Sequence, residues 1–307
     1  MAEAGAATSR ARTSEVRVRQ EEYAGWRLSA PVMLLVIVLL IAPTIAVFGL
    51  SLTDAELGSS EWHFIGVSNY SDLAGDRTFR ISIWNTARFV LLVAPASVAL
   101  GLGLALLIES SVELKGFFRS AFFLPVVSLT VAMASVWQYL MHPTIGPINQ
   151  MFRLVGLPAI NWLSSSDWVL TGLAVIGIWQ ATGFAMVLFL AGLTAIDPQL
   201  YQAAEIDGAK SPLDRFRLVT WPMLGPTTLF VTTVTMINAL KVFETVYTLT
   251  EGGPAKASEV LLWTIFKQGF TYLQIGSASA MAVVFIVVLL VLVVLQTRVL
   301  DRRVHYS

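Results

Sequence analysis

No cysteine occurs in the 307 residues, which excludes disulfides, thiolate nucleophiles, zinc ribbons and iron–sulfur clusters together. Histidine is almost as scarce, and His63, His142 and His305 are too scattered to suggest a metal site by spacing. Charged residues make up only 13% of the chain, and twenty basic side chains cancel twenty acidic ones. Bulk electrostatics therefore gives nucleic acid or another polyanion no footing. No Gly-Lys dipeptide occurs, so the chain lacks the phosphate-cradling loop of a P-loop nucleotide site. Gly101-Leu102-Gly103 has no preceding strand, and small residues in such an apolar run serve close helix packing. Repeats of solenoid length and low-complexity linkers are missing as well.

Apolar side chains abound instead. Hydrophobic residues reach 56% and the mean hydropathy is +0.71, values that suit lipid rather than water as the main solvent. A bilayer core about 30 Å thick needs roughly 20 mostly apolar residues per helix. Six runs meet that need, at about 29–52, 85–108, 120–141, 168–194, 223–249 and 277–297. A soluble all-helical globule of this length lacks the volume to bury all of them. The first run extends past Pro43 to Leu52 without a small-residue cleavage site, so it reads as an anchor rather than a secretory signal. Glu3, Glu15, Glu21 and Glu22 argue against an Arg-rich transit peptide. The expected organisation is a polar cytoplasmic tail over 1–27 followed by one membrane domain over 28–307.

The basic residues orient the spans. Segments on the N-terminal side hold thirteen: Arg10, Arg12, Arg17, Arg19, Arg27, Lys115, Arg119, Lys210, Arg215, Arg217, Arg298, Arg302 and Arg303. The opposite loops hold five, Arg77, Arg80, Arg153, Lys256 and Lys267, while Arg88 and Lys241 fall inside spans. Both termini are thus expected in the cytoplasm, with the loops near 53–84, 142–167 and 250–276 facing outward. Trp62, Trp162, Trp168 and Trp263 lie near expected interfaces and read as headgroup anchors.

Between the fourth and fifth spans, Ile196–Pro226 is too patterned for a simple turn. Asp197 is placed to N-cap a helix that opens with Pro198, and Gly208 breaks it. Ser211 is placed to cap a second helix opening with Pro212, with Asp214 completing an acidic variant of the capping box. Pro222 and Pro226 end or kink the chain where it enters the fifth span. Ala203, Ala204 and Ala209 at the bend would let another protein approach closely. A surface-lying amphipathic segment, with Leu200, Ile206, Leu213 and Phe216 toward lipid, fits the pattern equally.

Polar residues inside spans mark wet or partnered positions. Asn238, Lys241, Glu244 and Tyr247 recur every third residue of the fifth span, placing them on one slanting helical stripe with Lys241 and Glu244 close enough to neutralise each other. Gln180, Gln138 and Arg88 add donors and acceptors, and Trp179 and Tyr247 offer aromatic faces. A buried structural Lys241–Glu244 pair, and helix–helix bonding by Gln138 and Gln180, are the competing readings.

Gln202-Ala-Ala-Glu-Ile-Asp-Gly-Ala209, with Phe216, Pro222 and Pro226, resembles the EAA loop of binding-protein-dependent ABC importer permeases of the carbohydrate type. Thr250–Pro254 and Gly276–Ala280 are similar to that family's stretches around the last span, and Arg302–Tyr306 to its tail. The resemblance implies an all-α membrane protein of six transmembrane helices, with a cytoplasmic coupling-helix loop between helices 4 and 5. Ala203, Ala204, Asp207, Gly208 and Ala209 would then dock a separate ATPase, with Phe216 and Pro222 in the same loop. Gln202 departs from the family's glutamate, which leaves a neutral hydrogen bond in place of a salt bridge.

The implied function is non-enzymatic: a permease subunit in the plasma (inner) membrane of a bacterium or archaeon, importing a sugar or oligosaccharide. Its implied partners are a second, related permease, two ATPase subunits holding ATP and Mg2+, and an external solute-binding protein. No cofactor is expected on this chain. A sugar derivative such as glycerol 3-phosphate is the second substrate choice. A secondary transporter would need inverted repeats with broken helices, and a membrane enzyme a cluster of His and Asp, neither of which the sequence offers.

Overall fold

A computed structural model describes residues 26–110 and 115–301. The arginines of the N-terminal tail at 10–19 and the closing Arg302–Tyr306 lie outside the described residues. Among the described residues the fold is all-helical, with one isolated bridge, Thr53 to Phe64, in place of any sheet.

Among the described residues, five helical stretches are long and apolar enough to cross a membrane: α1 (Trp26–Leu50), α3 (Arg77–Ser110), α7 (Val169–Thr194), the Gly225–Leu249 segment, and α13, which covers Ile275–Asp301. A short α2 (Ser68–Gly75) precedes α3. The third expected span, 120–141, is not a straight rod. It consists of α4 (Lys115–Val127) and α5 (Thr130–Leu140), which meet at 102°. Pro125 weakens the end of α4, the Ser128 hydroxyl turns back onto the Leu124 carbonyl at 2.8 Å, and Leu129 is extended at ψ 118°. The two pieces count as a sixth span only when taken together.

The fifth expected span is interrupted too. Helix α10 (Gly225–Leu240) ends where Lys241 adopts ψ 16°, and α11 (Glu244–Leu249) restarts after Phe243. The continuous stripe expected from Asn238 to Tyr247 is therefore broken in the middle.

Helices α3, α7 and α10 form the centre. Lipid gives apolar helices no hydrophobic reason to associate, so close packing at small residues has to hold them. A Cβ on Gly101 of α3 would stand 2.6 Å from the Ala185 Cβ and 2.9 Å from the Met186 nitrogen of α7, whereas Gly103 meets nothing within 4 Å. Ala105, Ala185, Met186 and Phe189 are fully buried in that seam. Helix α1 has no buried residue and touches α13 through its Ala42–Leu50 half.

The loops at 51–76, 250–260 and 272–276 gather at one end of the bundle. The Gly276 N–H donates to the Ala55 carbonyl at 2.8 Å, and Asn85 at the start of α3 donates to the carbonyls of Lys256 and Glu259, each at 3.0 Å. Two further short helices are α6 (Pro147–Leu154), between α5 and α7, and α12 (Leu261–Phe266), between α11 and α13.

Candidate functional site: a cavity and a helical knuckle

Two places collect the polar residues singled out in the sequence. The first is a cavity of about 610 Å3 bounded by α3, α7, α10 and the break after it. Gln180, Asn238, Lys241 and Glu244 line it together with Thr130, Thr235 and Thr245. Non-helical backbone at membrane depth is tolerated where it meets water or protein, and Lys241–Phe243 meets this cavity.

The break separates charges that a straight helix would have joined. Among the described residues no ion pair forms between Lys241 and Glu244, and neither side chain has a hydrogen-bond partner. Tyr247 is carried out of the cavity into an aromatic group, stacked on Phe243 at 5.6 Å between centroids and edge-on to Trp263 at 5.7 Å. Trp179 also misses the cavity and packs edge-on against Trp137 at 5.4 Å. The rings that do line it are Phe89, Phe184 and Phe243. Gln180 combines both readings, since its Nε2 donates to the Thr130 hydroxyl at 3.5 Å while the residue lines the cavity. Gln138 and Arg88 are exposed on α5 and α3 and lie apart from the cavity.

Two of the expected headgroup anchors are core residues. Trp162 and Trp263 are 8% and 7% exposed, because neighbouring rings enclose them, while Trp62 and Trp168 are 57% and 42% exposed. Sequence reasoning also missed Glu259. It is 1% exposed, bonds the Lys267 ammonium at 2.6 Å and accepts from Thr264 at 3.1 Å. Lys267 in turn sits 5.5 Å from the centre of the Trp263 ring. This group lies against Gly252, and the bonds of Asn85 and Thr86 tie the same stretch of chain to α3.

The second place is the segment joining α7 to α10. Asp197 accepts from the Gln199 N–H at 2.8 Å and starts α8 (Pro198–Ile206). Gly208 ends it at φ +99°, a conformation that penalises a Cβ, and the Ala209 N–H closes the end on the Ala204 carbonyl at 2.9 Å. Ser211 and Asp214 form the expected reciprocal cap of α9 (Pro212–Arg215), with the Asp214 N–H on the Ser211 hydroxyl at 3.1 Å. Those bonds from the Ser211 hydroxyl and N–H hold the Asp214 carboxyl below the ordinary 3.8. A π-helical turn, Phe216–Thr220, and Trp221–Met223 lead into α10.

Glu205 to Arg215 at 3.3 Å ties the two knuckle helices, and the Tyr201 and Thr220 hydroxyls at 3.0 Å tie α8 to the π-helical turn. Gln202, Ala203, Asp207, Gly208 and Pro222 are exposed, Ala204 and Phe216 half-buried. Ala209 is only 3% exposed, so its methyl props the bend from beneath instead of lining the outer face. Among the described residues, no group of three or more His, Asp or Glu side chains could hold a metal ion.

Residues 21–306 match the family described as binding-protein-dependent transport system inner membrane component. The chain is 31% identical over 282 residues to the sn-glycerol-3-phosphate transport system permease of Agrobacterium fabrum, covering 91% of this chain and 95% of that one. It is 30% identical over 281 residues to the trehalose/maltose transport system permease of Thermococcus litoralis, covering 91% and 93%. Its fold matches a chain of a bacterial alginate ABC transporter, solved with an alginate pentasaccharide-bound periplasmic protein, at TM-score 0.80 and 22% identity over 95% and 98% of the two chains. With a family match of that extent laid over a broken-helix cavity and a capped knuckle, this chain belongs to the binding-protein-dependent transport system inner membrane components and is an ABC-importer permease.

Proposed function

We propose that the chain is one of two related permeases in an importer of a sugar or oligosaccharide, working with two ATPase subunits and an external solute-binding protein. ATP and Mg2+ belong to the ATPases. Both termini and the α8–α9 knuckle lie in the cytoplasm of a bacterium or archaeon, a reading supported by the thirteen-to-five bias of basic residues.

The observation that carries this reading is the cavity. Amide, hydroxyl, ammonium and carboxylate groups face the same space as three phenylalanine rings. That mixture suits a polyhydroxy solute, which offers hydroxyls at its rim and C–H faces to aromatic rings. Gln180, Asn238, Lys241 and Glu244 contact the solute, and Tyr247 supports Phe243 from behind. Gln202, Ala203, Ala204, Asp207 and Gly208 present the knuckle to the ATPase, while Ala209, Phe216 and Pro222 shape it. The permeases named for glycerol 3-phosphate and trehalose/maltose support a sugar or sugar-like cargo.

The test is uptake by proteoliposomes holding the complete importer and its loaded binding protein. Asn238→Ala should lower the transport rate by about tenfold, the order expected when one hydrogen bond to the solute is lost. An unchanged rate removes Asn238 from the path.

A further inference from the structure

Helix α6 is mounted firmly on the bundle, yet it turns an apolar face away from the protein. At about 100° per residue its eight residues fall into three sectors. Ile148, Asn149 and Phe152 face the core. Ile148 and Phe152 pack on the cluster of Trp137, Met141 and Trp162, with the Phe152 and Trp162 rings 5.8 Å apart. Asn149 is fully buried, its amide donating to the carbonyls of His142 at 3.1 Å and Ile160 at 2.9 Å and accepting from the Ile160 N–H at 2.9 Å.

Gln150 and Arg153 make a polar edge. Their side chains donate to the Ile145 and Pro143 carbonyls, each at 3.0 Å, and so lean on the loop that precedes the helix. The third sector holds Met151, Leu154 and Val155, and Leu157, just beyond the turn at Gly156, is exposed as well. Leu154 is 87% exposed and Val155 72%. Apolar side chains grouped this openly are unfavourable in water and mark a surface that something covers.

The height of α6 says what covers it. The carbonyl of Trp162, whose ring Phe152 meets edge-on, lies against the first turn of α7, where a Cβ on Gly172 would stand 2.8 Å from its oxygen. Met141 of the same cluster directly follows α5. Helix α6 is therefore held at the level where α5 and α7 leave the membrane, near Tyr139 and Trp168, both exposed as interfacial aromatics are. The bilayer that covers those spans extends to this level, whereas a soluble partner would reach it only at the headgroups.

We propose that α6 is an interfacial helix lying in the lipid leaflet opposite the knuckle, with Met151, Leu154 and Val155 among the upper acyl chains and the remaining N–H groups of Arg153 on phospholipid phosphates. That leaflet is the outer one in the orientation proposed above. One apolar face and one polar edge are what such a position requires. The bend of the third span gives the contact a purpose. Helix α5 has 11 residues, about 16 Å at 1.5 Å per residue, too short to fix its own depth in a core about 30 Å thick. Lipid contact at α6 fixes that depth for a helix whose Thr130 lines the cavity.

Nanodiscs of phosphatidylcholine and phosphatidylglycerol holding the complete importer test the placement. The naturally cysteine-free chain is labelled with nitrobenzoxadiazole at Leu154→Cys or, on the polar edge, at Gln150→Cys before assembly. Phosphatidylcholine spin-labelled high on its acyl chain should quench the label at 154 several-fold more than the label at 150, and aqueous iodide should do the reverse. Leu154→Asp should open a label at Val155→Cys to iodide, because a carboxylate is expelled from the acyl region. Iodide quenching at 154 equal to that at 150 overturns the placement, and so does quenching at 154 that changes only when the loaded binding protein is added, which would assign the face to that protein. Stimulation of ATPase by the loaded binding protein in the same nanodiscs reads the transport function separately, so a helix that stays in water is distinguishable from a failed permease.

Discussion

Gly208 sets the knuckle by its backbone alone. At φ +99° it has room for a side chain but not the conformation for one, and proline, fixed near −65°, cannot reach it. Gly208→Pro should leave the protein inserted and abolish solute-stimulated ATPase by the assembled importer; wild-type stimulation in that variant would refute the coupling role. Asp214 adds a pH dependence of known sign. Its folded-state value lies below 3.8, so its contribution to the cap is complete above the unfolded value and lost as pH falls through the folded one. Protection of the 211–215 amides relative to their intrinsic exchange rates should therefore fall as pH drops below the ordinary carboxylate value of 3.8, and Asp214→Asn should flatten that change. These caps were legible in the sequence because capping is chemistry between residues two or three apart. The burial of Trp162, Trp263 and Glu259 was not, since the rings and charges around each meet only once the loops and short helices that carry them have folded.

At the scale of elements, the α3–α7 seam makes a paired prediction. Gly101→Leu should lower the unfolding temperature of the detergent-purified protein, by an amount corresponding to about 1–3 kcal/mol of overpacking, whereas Gly103→Leu should not. Equal effects would mean that the seam is not where the helices meet. Hydropathy located all six apolar runs, yet it missed both breaks, because apolarity reports contact with lipid and not straightness. Pro125 was a visible warning for the third span. Nothing in Lys241-Val242-Phe243 marks the fifth, where the helix ends without a proline or glycine. The stripe of Asn238, Lys241, Glu244 and Tyr247 was sound in listing polar positions and wrong in geometry, and that difference decides which of them face the cavity.

For the whole molecule, the natural lack of cysteine permits a direct test of orientation. Single cysteines replacing exposed Lys210 in the knuckle and exposed Glu61 in the first loop should react with a membrane-impermeant maleimide from opposite sides, Glu61→Cys in intact cells and Lys210→Cys only after lysis. The reverse pattern would place the knuckle out of reach of any cytoplasmic ATPase. Grouping of the 51–76 and 250–260 loops at one end agrees with an even number of crossings between them, and the alternation of charge along the sequence indicates the same grouping.

The break after α10 also has a mechanical meaning. Gly225–Leu240 is a shaft of 16 residues, about 24 Å at 1.5 Å per residue, with the knuckle at one end and the cavity wall at the other. A regular helix of that length transmits a push without shortening. Beyond it, α11 is braced by the stacked rings of Phe243, Tyr247, Trp263 and Phe266. If the knuckle receives the ATPase as proposed, a thrust delivered there would be taken up at Lys241 and Val242, with the cavity wall as its fulcrum.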